Sequence, residues 1–406
     1  MAIIKNKGLM QASGNISRDN YKKTFYQELI RVLKAFDMYD CFKRLPPKSL
    51  KAFTTNIVRP IRFEKDPEVE SHVLTALRKD VKEIIDNCYL DLKILNSELA
   101  YRDFLTAGVA LHGDTEDYFG CVETDIEKWV HFHTILDVMI TRDDFNPILL
   151  ISQHMTNMCY ICTSLDTAYY WLDPKPHLPD RLEPYSCLVY ILKKTPAEKK
   201  IATIEGQNRP VFRLGISERK KIEWASVPAQ EFGIDSKGTE ALPVYIQSHA
   251  LNRLWERLAP LKKPDIQVLL YDAFTKREFS QSADGAHLAA LRYNGAKLGY
   301  LIFDIVDYMV IVKTFLFLTQ NGTPEGEVLN KKFDLSKYSK TYLEIDKLYT
   351  FVKTDIYQDE ALKSLFLKCG CGDLFNVWKA GEKESISFDK NYAKNLKKIF
   401  LPVGDY

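Results

Sequence analysis

One predicted helix presents a histidine and two arginines at helical spacing. Residues 245–258 read as the end of a strand followed by a helix, and His249, Arg253 and Arg257 stand at i, i+4 and i+8 on one face. Leucines on another face explain why this helix docks on a core. An imidazole titrates near neutral pH, and guanidinium groups bind phosphate oxygens. The spacing indicates an anion-binding or catalytic surface, and a solvated face without function is the alternative.

A later strand and the end of an earlier one add three candidates. Segment 309–318 is apolar on both faces, as in the centre of a sheet, except at Lys313 and Thr314. Because an unpaired ammonium is costly to bury, Lys313 either pairs with a carboxylate such as Asp304 or points into a polar cleft. Tyr293 ends another apolar run, and it either stacks on a nucleic-acid base or belongs to the core.

The pattern from residue 242 onward is a strand, two helices and an antiparallel meander. The second helix is predicted over Pro264–Ala273. Strands are predicted over 277–282, 286–293, 298–306 and 309–318. Asn294-Gly295 and Asp307-Tyr308 mark the tight turns between them. The segment Thr319–Gly326 follows directly and reads as a helix start, where N–H groups can hold phosphate, or as a simple helix cap.

The segment Ser248-His249-Ala-Leu-Asn-Arg253-Leu-Trp-Glu256-Arg257, followed by short antiparallel strands, resembles the barnase–EndoU–colicin–RelE-like superfamily of endoribonuclease toxins. The resemblance covers about residues 242–335. It implies a RelE-like module with two helices on an antiparallel sheet, and a toxin or defence role with an inhibitor or antitoxin protein as partner. The positions that fit the family are His249, Arg253 and Arg257 on the helix and Lys313-Thr314 on the last strand.

These side chains match the needs of RNA cleavage without a metal. Transesterification by the 2′-OH needs a base for its proton, an acid for the 5′-oxygen and cations for the charge of the phosphorane. His249 suits acid–base work, the arginines and Lys313 suit the phosphate, and Tyr293 suits base stacking or a share in proton transfer. We therefore predict an endoribonuclease with no cofactor and no metal. A non-catalytic RNA- or protein-binding module and an interaction scaffold are the alternatives.

The amino-acid composition excludes some other classes of protein. The chain has 406 residues, with 56 Lys+Arg against 54 Asp+Glu, so a uniformly basic nucleic-acid coat is excluded. A local basic stretch remains, because residues 191–221 hold nine basic and three acidic side chains, which suits an RNA backbone. The most apolar stretch, 298–318, carries three charges and does not read as a membrane span. The start lacks a signal peptide, so we expect a cytoplasmic protein without membrane contact.

The predicted fold class is α+β in four segments. Residues 1–172 read as a helical domain, 173–241 as a proline-rich linker and basic β-rich segment, 242–335 as the RelE-like module and 336–406 as a helical extension. Two close cysteine pairs, Cys159/Cys162 and Cys369/Cys371, either bind zinc together or are buried thiols, and their apolar surroundings favour the thiols.

Overall fold

The helices and β-sheets of the chain divide between two units. The computed structural model describes residues 18–55, 58–59, 61–92, 97–113, 123–141, 147–178, 186–218, 220–234, 241–282, 284–378 and 392–400. The first unit comprises residues 1–158 and 171–194, and the second comprises residues 159–170 and 195–406. The mixed α+β class expected from the sequence is confirmed.

The two units cut across the four segments suggested by the sequence. The basic strands after residue 195, the module of 242–335 and the C-terminal helices all belong to the second unit. Two kinds of contact explain this. Strands from the basic segment pair with the sheet of the module, and apolar residues of the C-terminal helices pack into the same core.

Through residue 196 the chain is mainly helical. Its helices are α1 (Arg18–Ala35), α2 (Tyr39–Lys43), α3 (Pro47–Thr55), α4 (Ser71–Asn87), α5 (Tyr101–Asp103), α6 (Val109–Gly113), α7 (Ile126–Thr141) and α8 (Pro147–Cys162). Its strands are β1 (Arg62–Lys65), β2 (Tyr89–Leu92), β3 (Ser97–Ala100), β4 (Ala168–His177) and β5 (Cys187–Pro196). The helical pattern expected over residues 1–172 is interrupted after α4, because the residues from Tyr89 onward pair as the β2–β3 hairpin.

Strand β4 corrects the linker prediction. The proline-rich stretch 173–184 begins inside this strand, with Pro174 and Pro176 both in extended backbone. The three-stranded sheet has the order β1-β5-β4, so β4 lies at its edge. Proline is tolerated at an edge because no neighbouring strand requires its missing N–H group. The end of the predicted linker, 179–184, lies outside the described residues.

The second unit is built on an eight-stranded sheet with helices packed on it. The strands of this unit are β6 (Lys199–Ile204), β7 (Gln207–Arg213), β8 (Gly215–Glu218), β9 (Lys221–Trp224), β10 (Ser226–Pro228), β11 (Ala241–Gln247), β12 (Phe279–Gln281), β13 (His287–Tyr293), β14 (Ala296–Val306) and β15 (Met309–Phe317). Of these, β8 and β9 pair with each other in a separate two-stranded sheet. Its helices are α9 (Ser248–Leu258), α10 (Lys263–Thr275), α11 (Pro324–Phe333), α12 (Lys337–Tyr342), α13 (Leu348–Lys353), α14 (Glu360–Lys368) and α15 (Tyr392–Phe400).

The sheet order is β12-β13-β14-β15-β11-β7-β6, with β10 paired to one end of β11. All described neighbours in this sheet are antiparallel except β11 and β15, which are parallel. The predicted β13–β14 and β14–β15 hairpins are confirmed. Both turns use left-handed backbone, since φ is 50° at Asn294, 86° at Gly295, 49° at Asp307 and 59° at Tyr308.

The C-terminal helices complete the core of the second unit. Leu254 of α9 and Phe315 of β15 are fully buried in the same apolar cluster as Phe351 of α13 and Phe366 of α14. The Phe351 and Phe366 rings meet edge to face with centroids 5.1 Å apart. Apolar residues of the extension therefore belong to the core of this unit. Within the described part of the chain, no helix has both the length and the apolar character required to cross a bilayer.

Gly326, in the first turn of α11, should tolerate no side chain. A Cβ there would lie 1.8 Å from the backbone oxygen of Gln320. We expect Gly326→Ala to lower the free energy of unfolding by about 3 kcal/mol, because backbone must move to relieve the overlap. The measurement is urea unfolding followed by circular dichroism.

Gly206→Ala is the comparison for this prediction. Gly206 has a φ of 74° and open space around its Cβ position, so only backbone strain of about 1 kcal/mol is expected. Equal losses in the two variants would contradict the steric explanation for Gly326.

Candidate active site

Helix α9 is fixed by its apolar face and by its position directly after β11. Leu251, Leu254 and Leu258 are buried, while His249 and Arg253 on another face remain partly exposed. The chain passes from β11 into the helix at Gln247, which occupies the N-cap position. The three residues spaced four apart thus lie beside the carboxyl end of β11.

A cleft forms where β15 extends beyond the end of β11. The parallel pairing of these strands ends at Ile246 and Val312, because the chain of β11 turns into α9. The following residues of β15 therefore have no strand partner on that side among the described residues. Helix α9 covers this stretch, and Nη1 of Arg257 donates a hydrogen bond to the backbone oxygen of Phe315.

The cleft has a volume of about 310 Å³ and is strongly cationic. It is lined by His249, Arg253, Arg257, Thr314, Leu316, Gln320, Asn321 and Lys337. None of these described lining residues carries a carboxylate. One imidazole, two guanidinium groups and one ammonium converge with three neutral polar side chains, which is the composition of an anion site.

Arg257 is the most deeply buried cation of the cleft. Its side chain is 7% exposed, and its Nε atom is buried without a hydrogen-bond partner in the described structure. Burial lowers the pKa of Arg257, and the charge of Asp346 acts against that change. An unsatisfied donor on a buried guanidinium is costly unless a ligand satisfies it. Arg257 therefore supplies a fixed, incompletely bonded cation at the base of the cleft.

A second layer of polar residues lies behind the bottom of the cleft. Asp346 is 5% exposed and accepts hydrogen bonds at Oδ2 from Gln320 (3.4 Å) and Thr341 (3.1 Å). The Gln320 side chain also accepts from the backbone N–H of Phe317 at 3.0 Å. A carboxylate from the C-terminal extension thus lies behind the cleft, where it offsets some of its positive charge without lining it.

Arg253 lies at the rim and is shared with Glu256. Its Nη1 atom is 2.7 Å from Oε2 of Glu256, and the two side chains are 39% and 50% exposed. An exposed pair of this kind is worth little to stability and is easily rearranged. Arg253 can therefore exchange Glu256 for an anion that enters the cleft.

The environment of His249 favours the neutral imidazole. Burial lowers the pKa of His249, and the nearby charges of Arg253, Arg257 and Arg209 lower it further, while Glu256 acts weakly in the opposite direction. A neutral imidazole can accept a proton, so His249 is suited to act as a base at neutral pH.

Removing Arg253 should raise the pKa of His249. Arg253→Gln takes away a positive charge that disfavours the imidazolium and leaves Glu256 unpaired, so both changes favour protonation. The measurement is an NMR titration of the His249 imidazole in both proteins. A His249 pKa that stays the same or falls in the variant would show that this charge pattern is wrong.

Two predicted site residues lie elsewhere. Lys313 is the extra residue of a β-bulge, since Ile302 opposes Thr314 and Phe303 opposes Val312. Its ammonium is 2.8 Å from Asp304 and 3.2 Å from Glu205. Burial disfavours that ammonium, but the bonds to these carboxylates prevail and raise the pKa of Lys313. Of the two alternatives for Lys313, the structure has the carboxylate pair.

Tyr293 is also absent from the lining of the cleft. It ends β13, and its ring meets that of Trp378 edge to face with centroids 6.1 Å apart. It packs against the main apolar cluster. The core alternative for Tyr293 is the one observed, and we assign it no contact with a ligand of the cleft.

The sequence pattern overlooked Lys337 and the roles of Gln320 and Asn321. Gln320 and Asn321 belong to the segment 319–326, whose Thr323 caps α11 by accepting from the N–H of Gly326 at 2.9 Å. The helix-start pattern of this segment concerned its backbone N–H groups and did not single out Gln320 and Asn321, which line the cleft. Lys337 opens α12, and no motif near it distinguishes it from an ordinary surface lysine.

No metal centre accompanies this cleft in the described part of the chain. No group of three or more His, Cys, Asp or Glu residues there is arranged to hold a metal ion. Cys159, Cys369 and Cys371 are buried thiols, and burial raises the pKa of each. The acidic side chains Asp114, Glu116 and Asp117, which by residue type could bind a divalent ion, lie outside the described residues.

Comparisons of the chain with protein-family models, with characterised proteins and with solved structures give no match.

Proposed function

We propose that the protein is a metal-independent endoribonuclease and that the cleft beside α9 holds the scissile phosphate. The observation that carries this proposal is the convergence of His249, Arg253, Arg257 and Lys337 on one cleft without a lining carboxylate. The order of β11, two helices and the strands β12 to β15 agrees with the proposed RelE-like relationship. On the same relationship we propose a toxin or defence role in the cytoplasm and an inhibitor protein as partner.

The proposed reaction is an internal transesterification. His249 takes the proton of the ribose 2′-OH, the 2′-oxygen bonds to phosphorus, and the bond from phosphorus to the 5′-oxygen breaks. The 5′-oxygen takes a proton from water or from the ammonium group of Lys337, which also lines the cleft. The products are a 2′,3′-cyclic phosphate and a 5′-OH. The need for a 2′-OH makes RNA the substrate and excludes DNA.

The proposed role of the two arginines is to stabilise negative charge on the phosphate. During attack the phosphoryl oxygens gain negative charge, and fixed donors that face them lower the barrier most in a site with little water. Arg257 is suited to this role because it is buried and anchored to the backbone of β15. Arg253 is suited to binding the incoming phosphate, because it is exposed and held only by Glu256.

The test is cleavage of a labelled single-stranded RNA by purified protein in the presence of EDTA. Mass spectrometry should find 2′,3′-cyclic phosphate ends, and the matching DNA should remain intact. Lys313→Met is the control, because it removes a cation of the same sheet that lies outside the cleft lining. Intact RNA after incubation with the unaltered protein would refute the proposed activity.

A second candidate is RNA binding without cleavage. It is favoured by Lys313, since one of the three cations expected at the site is paired with Asp304 and Glu205 instead. In this case RNA affinity should fall steeply with salt, because bound cations of the nucleic acid are released, and no products should form.

A further inference from the structure

Lys340 is a buried lysine that holds a residue of the cleft. It lies in α12 with 1% of its side chain exposed. Its Nζ donates to Oδ1 of Asn321 at 2.6 Å and to the backbone oxygen of Gly326 at 2.9 Å. Two acceptors at short range explain how this ammonium is buried.

The chemistry of this contact fixes which way the Asn321 amide faces. A lysine ammonium has donors and no acceptor, so only the oxygen of the amide can face it. The NH₂ group of Asn321 must then face away from Lys340. This NH₂ group has no hydrogen-bond partner within the described structure, and it is not buried.

Asn321 therefore has two unused donors, and Asn321 is one of the residues that line the cleft. The same cleft holds the incompletely bonded guanidinium of Arg257 and no described carboxylate. A neutral amide with its oxygen already bonded can recognise an anion only as a donor.

We infer that Asn321 donates from Nδ2 to an oxygen of a phosphoryl anion bound in the cleft, and that Lys340 is the positioning residue that orients this amide. The inference rests on the proposed function in taking a phosphoryl group as the ligand. It adds an uncharged donor from the loop before α11 to the cations of α9 and α12.

The alternative is that Asn321 serves only as an acceptor for Lys340. The substitution Asn321→Asp is expected to have different effects under the two roles. The carboxylate keeps the acceptor for Lys340, so a purely structural residue would tolerate the change. It removes both donors and presents an acceptor to the anion, so a ligand-binding residue would not tolerate it.

The experiment measures the affinity of the full chain for inorganic phosphate, from the chemical shifts of the His249 imidazole. We expect Asn321→Asp to lower this affinity at least about 10-fold, with no fall in the unfolding temperature in phosphate-free buffer. Lys340→Met should also weaken phosphate binding in a folded protein, because the amide loses its fixed orientation. Unchanged phosphate affinity in Asn321→Asp would overturn the inference.

Asn208→Asp is the matched control for charge. Asn208 lies on β7 outside the cleft lining, and its Oδ1 likewise accepts a hydrogen bond, from Thr203 at 2.9 Å. We expect the phosphate affinity of Asn208→Asp to lie within about 2-fold of that of the unaltered protein. An equal loss of affinity in both Asp variants would show that the added negative charge alone causes it, and this would overturn the donor role of Asn321.

RNA cleavage separates this inference from the proposed function. If the protein binds phosphate through Asn321 but leaves RNA intact, the donor role stands and the endoribonuclease proposal fails. If the unaltered protein cleaves RNA and Asn321→Asp cleaves it equally well with equal phosphate affinity, the endoribonuclease proposal stands and the donor role fails. If the unaltered protein binds no phosphate, the inference is overturned.

Discussion

His249→Gln is expected to slow RNA cleavage by about 10²–10⁴-fold, the usual contribution of one acid–base group. Glutamine keeps the polarity and approximate size of the side chain but cannot take the proton of the 2′-OH. Because Arg253 and Arg257 remain, RNA affinity should change little. The measurements are single-turnover cleavage rates and, with a 2′-deoxy RNA analogue, binding constants.

His72→Gln is the control for this substitution. His72 is exposed in α4 of the first unit, so its loss should leave cleavage unchanged. A His249→Gln variant that cleaves as fast as the unaltered protein would exclude the imidazole from the reaction, whatever the RNA affinity.

The pH profile of cleavage also tests whether His249 is the base in the reaction. The pKa of His249 is below its usual value of about 6.5, so the neutral base persists to lower pH than in an ordinary histidine. Activity should therefore fall only as the pH drops through this lowered pKa. In Arg253→Gln, where the pKa of His249 is expected to rise, the acid limb should move to higher pH.

Arg257→Lys is the second large effect that we expect, with cleavage slower by about 10²–10³-fold. The guanidinium bonds the backbone oxygen of Phe315 through Nη1 and still has donors for the phosphate. A lysine ammonium has the same charge but a single nitrogen at the end of a flexible chain. It can satisfy the carbonyl or reach the phosphate, and it lacks the planar fork for both.

Arg277→Lys provides the comparison for Arg257→Lys. Arg277 is exposed and pairs with Glu231 at 3.5 Å in the same unit, so its replacement should not alter cleavage. Unfolding temperatures of both variants show whether the fold is retained. If Arg257→Lys remains folded and cleaves normally, charge alone is sufficient at this position and the proposed orientation of the guanidinium is wrong.

Much of the second unit could be predicted from local sequence. The turns at Asn294-Gly295 and Asp307-Tyr308 were predictable because few residues adopt left-handed backbone readily, and the strands on either side are apolar. The placement of His249, Arg253 and Arg257 on one side of α9 follows from helical periodicity, which depends only on neighbours along the chain. The positions of these turns and of the α9 side chains are therefore determined by short stretches of sequence.

The sequence alone also determined which charged groups α9 presents, since one imidazole and two guanidinium groups at i, i+4 and i+8 follow from residue type and helix geometry. The tertiary structure decided which other groups join them. A bulge places Lys313 with Asp304 and Glu205, and packing of α12 brings Lys337 to the cleft and Lys340 to Asn321. These contacts join residues far apart in the chain, and their geometry depends on packing that no local pattern encodes.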